Sequence, residues 1–229
     1  MSDGTELVVV YEDEVLFAVD KPAGVIVHSD GTNAVQPTLT DLAREHLVAE
    51  GRGEVQPQAV QRLDRETTGL VLFSLDHATQ PAIDAQVAGH EMRKCYLAVI
   101  EGRFPWPERD VDAPIGRDRH NAGRMRACRP GQGKPALTRL RRAEYAGGRT
   151  LLVAELVTGR RHQIRVHLAS IGFPVVGDEL YGGAPSEQGL LLHALSEELD
   201  HPVTGERLKL VTAWPGRLWP ERDIASVIK

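Results

Sequence analysis

Short apolar runs separated by turn-forming residues open the chain. Leu7 to Tyr11 and Val15 to Val19 flank the acidic triplet Glu12-Asp13-Glu14, which predicts a β-hairpin. Lys21-Pro22-Ala23-Gly24 predicts a turn, and Val25 to His28 resumes as an extended segment. Thr38 stands three residues before Asp41 in the spacing of a helix cap. Leu39, Leu42, Ala43 and Leu47 then share one face until Gly51 stops the helix. Leu70 to Leu75 is apolar without alternation, so a strand covered on both faces is expected. Asp76 is expected to cap a helix that turns Ile83 and Val87 inward and ends near Gly89.

Lys94 to Ile100 predicts a further strand, closed by Gly102. Leu137 to Tyr145 and Thr150 to Val157 predict a hairpin around Gly147-Gly148. From Arg161 to Ile171 a helical period returns, with Ile164, His167, Leu168 and Ile171 on one face, Arg165 on another, and Gly172 as the stop. Beyond Leu190, apolar segments alternate with turns at His201-Pro202 and Thr204-Gly205. No repeat, low-complexity tract or long linker divides the chain. The expectation is an α+β fold in a single domain, residues 1–229, with two lobes around a cleft.

Composition narrows this little: 229 residues, 41% hydrophobic and 26% charged, describe an ordinary globular domain. The start, MSDGTE, is polar and acidic and lacks the basic and apolar regions of a signal peptide. No run approaches the ~18 apolar residues of a membrane span, so a cytoplasmic protein without membrane contact is expected. Cys95 and Cys128 form no CxxC pair, and two reduced thiols are the expected state.

Charge changes the picture more. The net value is −5, yet between Arg117 and Arg142 nine basic residues face one acid, Asp118, a local balance of +8. Clustered positive charge attracts phosphate regardless of the total. Gly116, Gly123, Gly131 and Gly133, with Pro130 and Pro135, rule out a helix there. The segment from about 116 to 135 therefore reads as a flexible basic arm, with Arg124, Arg126 and Arg129 as candidates for the backbone of a nucleic acid.

The most informative stretch is Arg62-Leu63-Asp64-Arg65-Glu66-Thr67-Thr68-Gly69. It sets a carboxylate between two arginines in a turn that feeds the buried strand. Neighbouring guanidinium favours the ionised carboxylate, as a nucleophile requires. An ion pair that merely orders the turn is the alternative. Four further segments accompany it: Lys21-Pro22-Ala23-Gly24; Lys94-Cys95-Tyr96; Gly159-Arg160-Arg161-His162-Gln163-Ile164-Arg165 running on to Val176-Gly177-Asp178-Glu179-Leu180-Tyr181-Gly182; and Leu192-His193-Ala194 with His201-Pro202-Val203-Thr204-Gly205-Glu206.

Together these resemble, in order and over most of the chain, the motifs of the RluA-type RNA pseudouridine synthases. The resemblance implies a pseudouridine-synthase-like catalytic domain with a mixed, mainly antiparallel sheet, flanking helices and a central active-site cleft. It implies an isomerase that breaks the N1 to C1′ bond of a uridine, turns the base, and joins C5 to C1′, without cofactor or metal. By the same resemblance Asp64 is the essential carboxylate, Arg165 its pairing cation, and Tyr96 the ring that lies against the uracil. Arg62 enters the space left by the flipped base or, equally, clamps a phosphate, and Arg160 joins Arg124, Arg126 and Arg129 in binding RNA. The partner is structured ribosomal or transfer RNA, and the protein a monomer.

Two departures stand out. Gln61 occupies a position that is usually His in the family, and a catalytic domain alone is expected, without the S4-type RNA-binding domain of many relatives. A catalytically inactive RNA-binding relative would have lost the nucleophile, whereas Asp64, Tyr96 and Arg165 are all present. A metal-dependent phosphoesterase built on Asp64, Asp178 and histidines finds no ligand pair at useful spacing. His162 and His167, five apart, do not share a helix face and are expected to be structural.

Overall fold

A computed structural model describes residues 7–29 and 37–227; the acidic start read above lies outside them. The first half runs β1 (Val8–Glu12), β2 (Leu16–Lys21), α1 (Leu39–Ala49), β3 (Gln58–Ala59), β4 (Thr68–Ser74), α2 (Gln80–Gly89), β5 (Arg93–Glu101) and β6 (Glu108–Asp112). The second runs β7 (Ile115–Arg117), β8 (Met125–Ala127), β9 (Leu137–Ala146), β10 (Arg149–Leu156), α3 (Gln163–Ser170), a 3-10 turn (Glu179–Tyr181), β11 (Leu192–Asp200), β12 (Arg207–Val211) and α4 (Ile224–Val227). The class is α+β. The described residues fall into two compact units, one up to Met92 together with Ser196–Thr212, the other Arg93–Leu195 with the residues from Ala213 on.

In the first unit the acidic triplet makes the expected hairpin. The Asp13 carboxylate accepts the Val15 and Leu16 N–H groups at 2.8 and 2.7 Å, and β1 pairs antiparallel with β2. β2 pairs antiparallel with β4, all seven residues of which are buried, as the unbroken apolar run requires. α1 carries its capping box: Asp41 N–H donates to Thr38 Oγ1 at 3.1 Å and Thr38 N–H to Asp41 Oδ2 at 2.8 Å. Leu39, Ala43 and Leu47 are fully buried. β11 and β12 form a hairpin whose turn is organised by His201, with Nδ1 accepting the Val203 and Thr204 N–H groups.

Three expectations fail here. Val25 to His28 is not extended, because its carbonyls have other donors: those of Ile26 and Val27 receive the Leu39 and Thr40 N–H groups that open α1. Asp76 does not cap α2. Pro81 belongs in a first helical turn, so the helix starts at Gln80, and Asp76 instead accepts the Ala78 N–H in the preceding turn at 2.9 Å. Val87 faces solvent. Ile83 and Gln86 are the buried residues, Gln86 because its amide closes on the Asp200 backbone in both directions, at 2.8 and 2.7 Å.

In the second unit β5, β10, β9 and β6 pair in that order, antiparallel, with Gly147-Gly148 turning β9 into β10 at positive φ. Leu97 to Ile100 are fully buried. α3 buries Ile164, Val166, His167 and Leu168 and leaves Arg165 on a different face, as the period predicted.

Candidate active site

Asp64 sits in the first unit, half-buried, in the loop that enters β4. The loop is held by a lysine. Lys21 has no exposed surface, and its Nζ donates to the carbonyls of Pro22, Val25 and Arg65 at 2.8, 2.8 and 2.9 Å. The Arg65 backbone also accepts the Gly24 N–H at 3.0 Å, and the Arg65 side chain returns Nε to the Gly24 carbonyl at 2.9 Å. The turn of the lysine motif and the aspartate loop are thus one structure, with a buried positive charge beside the residue that follows Asp64. Arg62 is exposed and makes no hydrogen bond or ion pair among the described residues. Neither flanking arginine therefore holds the Asp64 carboxylate, against the ion-pair reading of this turn.

Gln61, in place of the family's His, donates its amide to Glu197 on β11, a carboxylate 2% exposed. The base of the loop is thereby fixed to a strand distant in sequence.

Tyr96 and Arg165 belong to the second unit. Tyr96 lies buried in β5 opposite Ala154 of β10. Arg165 is presented by a short helix whose entry is folded around one amide. Gln163 Oε1 accepts from Thr158 Oγ1 and from the Arg160 N–H, while its Nε2 donates to the Leu137 carbonyl and Thr138 Oγ1, all between 2.8 and 3.0 Å. His167 continues this network. Its Nε2 donates to the Ala113 carbonyl, so Nδ1 accepts from the Thr138 hydroxyl, both at 2.9 Å. Burial holds its pKa below the ordinary histidine value.

The Arg165 guanidinium is gripped by two residues to which the sequence assigned no such part. Nε and Nη2 donate to the two oxygens of Asp178 at 2.7 and 2.8 Å, a bidentate pair in which Asp178 is fully buried. Its carbon stands 5.1 Å from the Tyr181 ring centroid. The turn bearing Asp178 demands glycine at 177, where φ is +80° and a Cβ would lie 2.0 Å from the Gly189 carbonyl oxygen. Asp178 and Tyr181 stand in the motif Val176 to Gly182, so their presence was legible, but their object was not. With both Asp178 oxygens on Arg165, the phosphoesterase reading loses a ligand. The described residues hold no group of three His, Cys, Asp or Glu placed to bind a metal.

The basic arm is folded. β7 and β8 form a hairpin, with Ile115 buried and Gly116 facing Arg126. Its glycines serve close packing as much as turning, since a Cβ on Gly133 would stand 2.7 Å from the Ile115 oxygen. Arg126 is half-buried and Arg129 exposed, and Arg124 approaches Asp118 at 4.0 Å. Arg160 donates Nε to the Pro135 carbonyl at 2.9 Å. The last three basic residues of the cluster are otherwise engaged on β9. Arg139 meets Glu155 at 3.2 Å, Arg141 the Val227 carbonyl, and Arg142 the Phe104 carbonyl at 2.7 Å.

No helix among the described residues is long and apolar enough to cross a membrane. The sequence pattern of the RNA pseudouridylate synthases matches residues 15–170. An uncharacterised RNA pseudouridine synthase of Bacillus subtilis, YhcT, is 36% identical over 92% of this chain and 69% of its own length. The ribosomal large subunit pseudouridine synthase D of Pseudomonas aeruginosa is 35% identical over 94% of this chain and 70% of its own. The human RNA pseudouridylate synthase domain containing 1 superposes with a TM-score of 0.75 at 26% identity, covering 95% of this chain and 89% of that one. Relatives of this kind run longer than the chain, which spans 62% of a Nitrosomonas europaea protein and 74% of a second Bacillus subtilis protein. With the family pattern over more than half its length and relatives above 30% identity, the chain belongs to the RNA pseudouridine synthases of the RluA type, isomerases that act on RNA.

Proposed function

We propose that this protein converts uridines of large-subunit ribosomal RNA to pseudouridine, working as a cytoplasmic monomer on the folded RNA, with Asp64 as the essential carboxylate. The choice of ribosomal over transfer RNA rests on the relatives named for the ribosomal large subunit. The observation that carries the role of Asp64 is local. Arg65 is turned onto Gly24 and Lys21 anchors the Arg65 carbonyl, so the loop that carries Asp64 is ordered by these two side chains.

The chemistry asks for an ionised carboxylate where water is scarce, and Arg165 is its pairing cation in this reading. Tyr96 contributes its ring to the uracil rather than a base, since a phenol of pKa about 10 is a poor proton acceptor at neutral pH. Arg62, exposed and unengaged within the described residues, fills the gap left by the everted base. Arg124, Arg126, Arg129 and Arg160 bind phosphate. Residues 1–229 act in this reading as one catalytic domain.

The test is tritium release from unmodified large-subunit ribosomal RNA transcribed with C5-tritiated UTP. Release by the wild type, its loss in Asp64→Asn, and indifference to chelators are expected. RNA binding without release would favour the inactive relative, and release persisting in Asp64→Asn would end the assignment.

A further inference from the structure

One side chain ties the basic hairpin to the helix of Arg165. The Tyr181 hydroxyl accepts the Met125 N–H of β8 at 2.9 Å and hydrogen-bonds Nδ1 of His162, the residue before α3, at 2.8 Å. The guanidinium carbons of Arg124 and Arg165 stand 5.2 and 5.1 Å from the centroid of its ring. The ring is buried, in a cluster with Ile115 of β7 and Val166 of α3, and with Met125 packed against it. The two arginines are held very differently. Arg165 is clamped on buried Asp178, whereas Arg124 has a 4.0 Å approach to Asp118 and a side chain 42% exposed.

Two cations at one ring repel each other, and the looser one is open to solvent. A phosphate oxygen on Arg124 would neutralise that repulsion and pull on β8, whose Met125 N–H is bonded to the same tyrosine. We propose that Tyr181 is a positioning residue that couples RNA on the basic hairpin to the orientation of Arg165, so that contact far from the reacting base improves turnover and not only affinity. This rests on the reading above in which the hairpin meets RNA and Arg165 serves the isomerisation.

Tyr181→Phe keeps the ring and deletes the hydroxyl. Losing a hydrogen bond of about 1.4 kcal/mol corresponds to about a tenfold fall in kcat on the tritiated transcript, with KM within about twofold. At saturating RNA, Arg124→Gln should lower kcat about threefold in the wild type and leave it unchanged in Tyr181→Phe. A purely structural tyrosine would let the two losses multiply, and that result overturns the coupling. A second measurement is independent of activity. In the Asp64→Asn background, adding fragments of the same RNA should slow amide hydrogen exchange over residues 163–170, and Tyr181→Phe should abolish that slowing. Equal protection with and without the hydroxyl refutes the coupling. If the wild type released no tritium yet the protection depended on Tyr181, the isomerase assignment would fail while the coupling stood. An active wild type with multiplying losses would instead refute the coupling and leave the isomerase standing.

Discussion

Replacing Lys21 by Met tests whether one buried ammonium holds the aspartate loop. The side chain has no exposed surface and donates to three carbonyls, each bond to a charged group contributing roughly 1.5–3 kcal/mol. Against that stands the cost of burying the charge, several kcal/mol, which the substitution relieves. Methionine matches the length and fills the space, so the cavity contribution is small. The Arg65 carbonyl keeps the Gly24 N–H at 3.0 Å, but the Pro22 and Val25 carbonyls lose this donor. Two poorly satisfied acceptors at about 1–2 kcal/mol each leave a net destabilisation of roughly 2–4 kcal/mol. Urea unfolding followed by far-UV circular dichroism reads this directly. Turnover by the folded fraction should fall at least about tenfold while RNA affinity changes by less than about twofold, because the loop and not the RNA surface is loosened. Lys21→Arg should not rescue, as a planar guanidinium does not fit three carbonyls converging on one point. An unchanged unfolding midpoint in Lys21→Met would refute the argument.

Other expectations follow from the second unit. Arg165→Met should reduce turnover on the order of a hundredfold or more with little change in RNA affinity, and Asp178→Asn should do the same more mildly; equal losses in turnover and affinity would count against a role at the nucleophile. Neutralising Arg124, Arg126 and Arg129 together should flatten the dependence of log affinity on log salt by about 2, and an unaltered slope would mean the hairpin does not meet the backbone. His193, buried and near Arg217, is pushed down to about 3, whereas an unfolded histidine titrates near 6.5. The unfolded chain thus takes a proton the fold refuses, so this contribution is intact above pH 6.5 and declines as pH falls, by about 2 kcal/mol at pH 5. Burial of His167 acts in the same direction. A His193→Asn variant should flatten the profile, and equal unfolding free energies of the wild type at pH 7 and 5 would contradict it.

What the sequence determined by itself is what depends on neighbours in the chain. The hairpins about Glu12-Asp13-Glu14 and Gly147-Gly148, the Thr38 cap and the fully buried β4 follow from periodicity and turn chemistry, because those interactions close within a few residues. The five ordered motifs were enough to identify the family. The tertiary structure decided the partners of polar groups. Lys21 reaches across 44 residues to the aspartate loop, Gln61 across 136 to Glu197, and Gln86 across 114 to Asp200. The same holds for Val87, which yields the interior to Gln86, and for Arg139, Arg141 and Arg142, whose guanidinium groups are held by Glu155 and by the Val227 and Phe104 carbonyls. A buried polar atom must find a partner wherever the chain brings one within about 3 Å, and pattern along the sequence carries no measure of that distance.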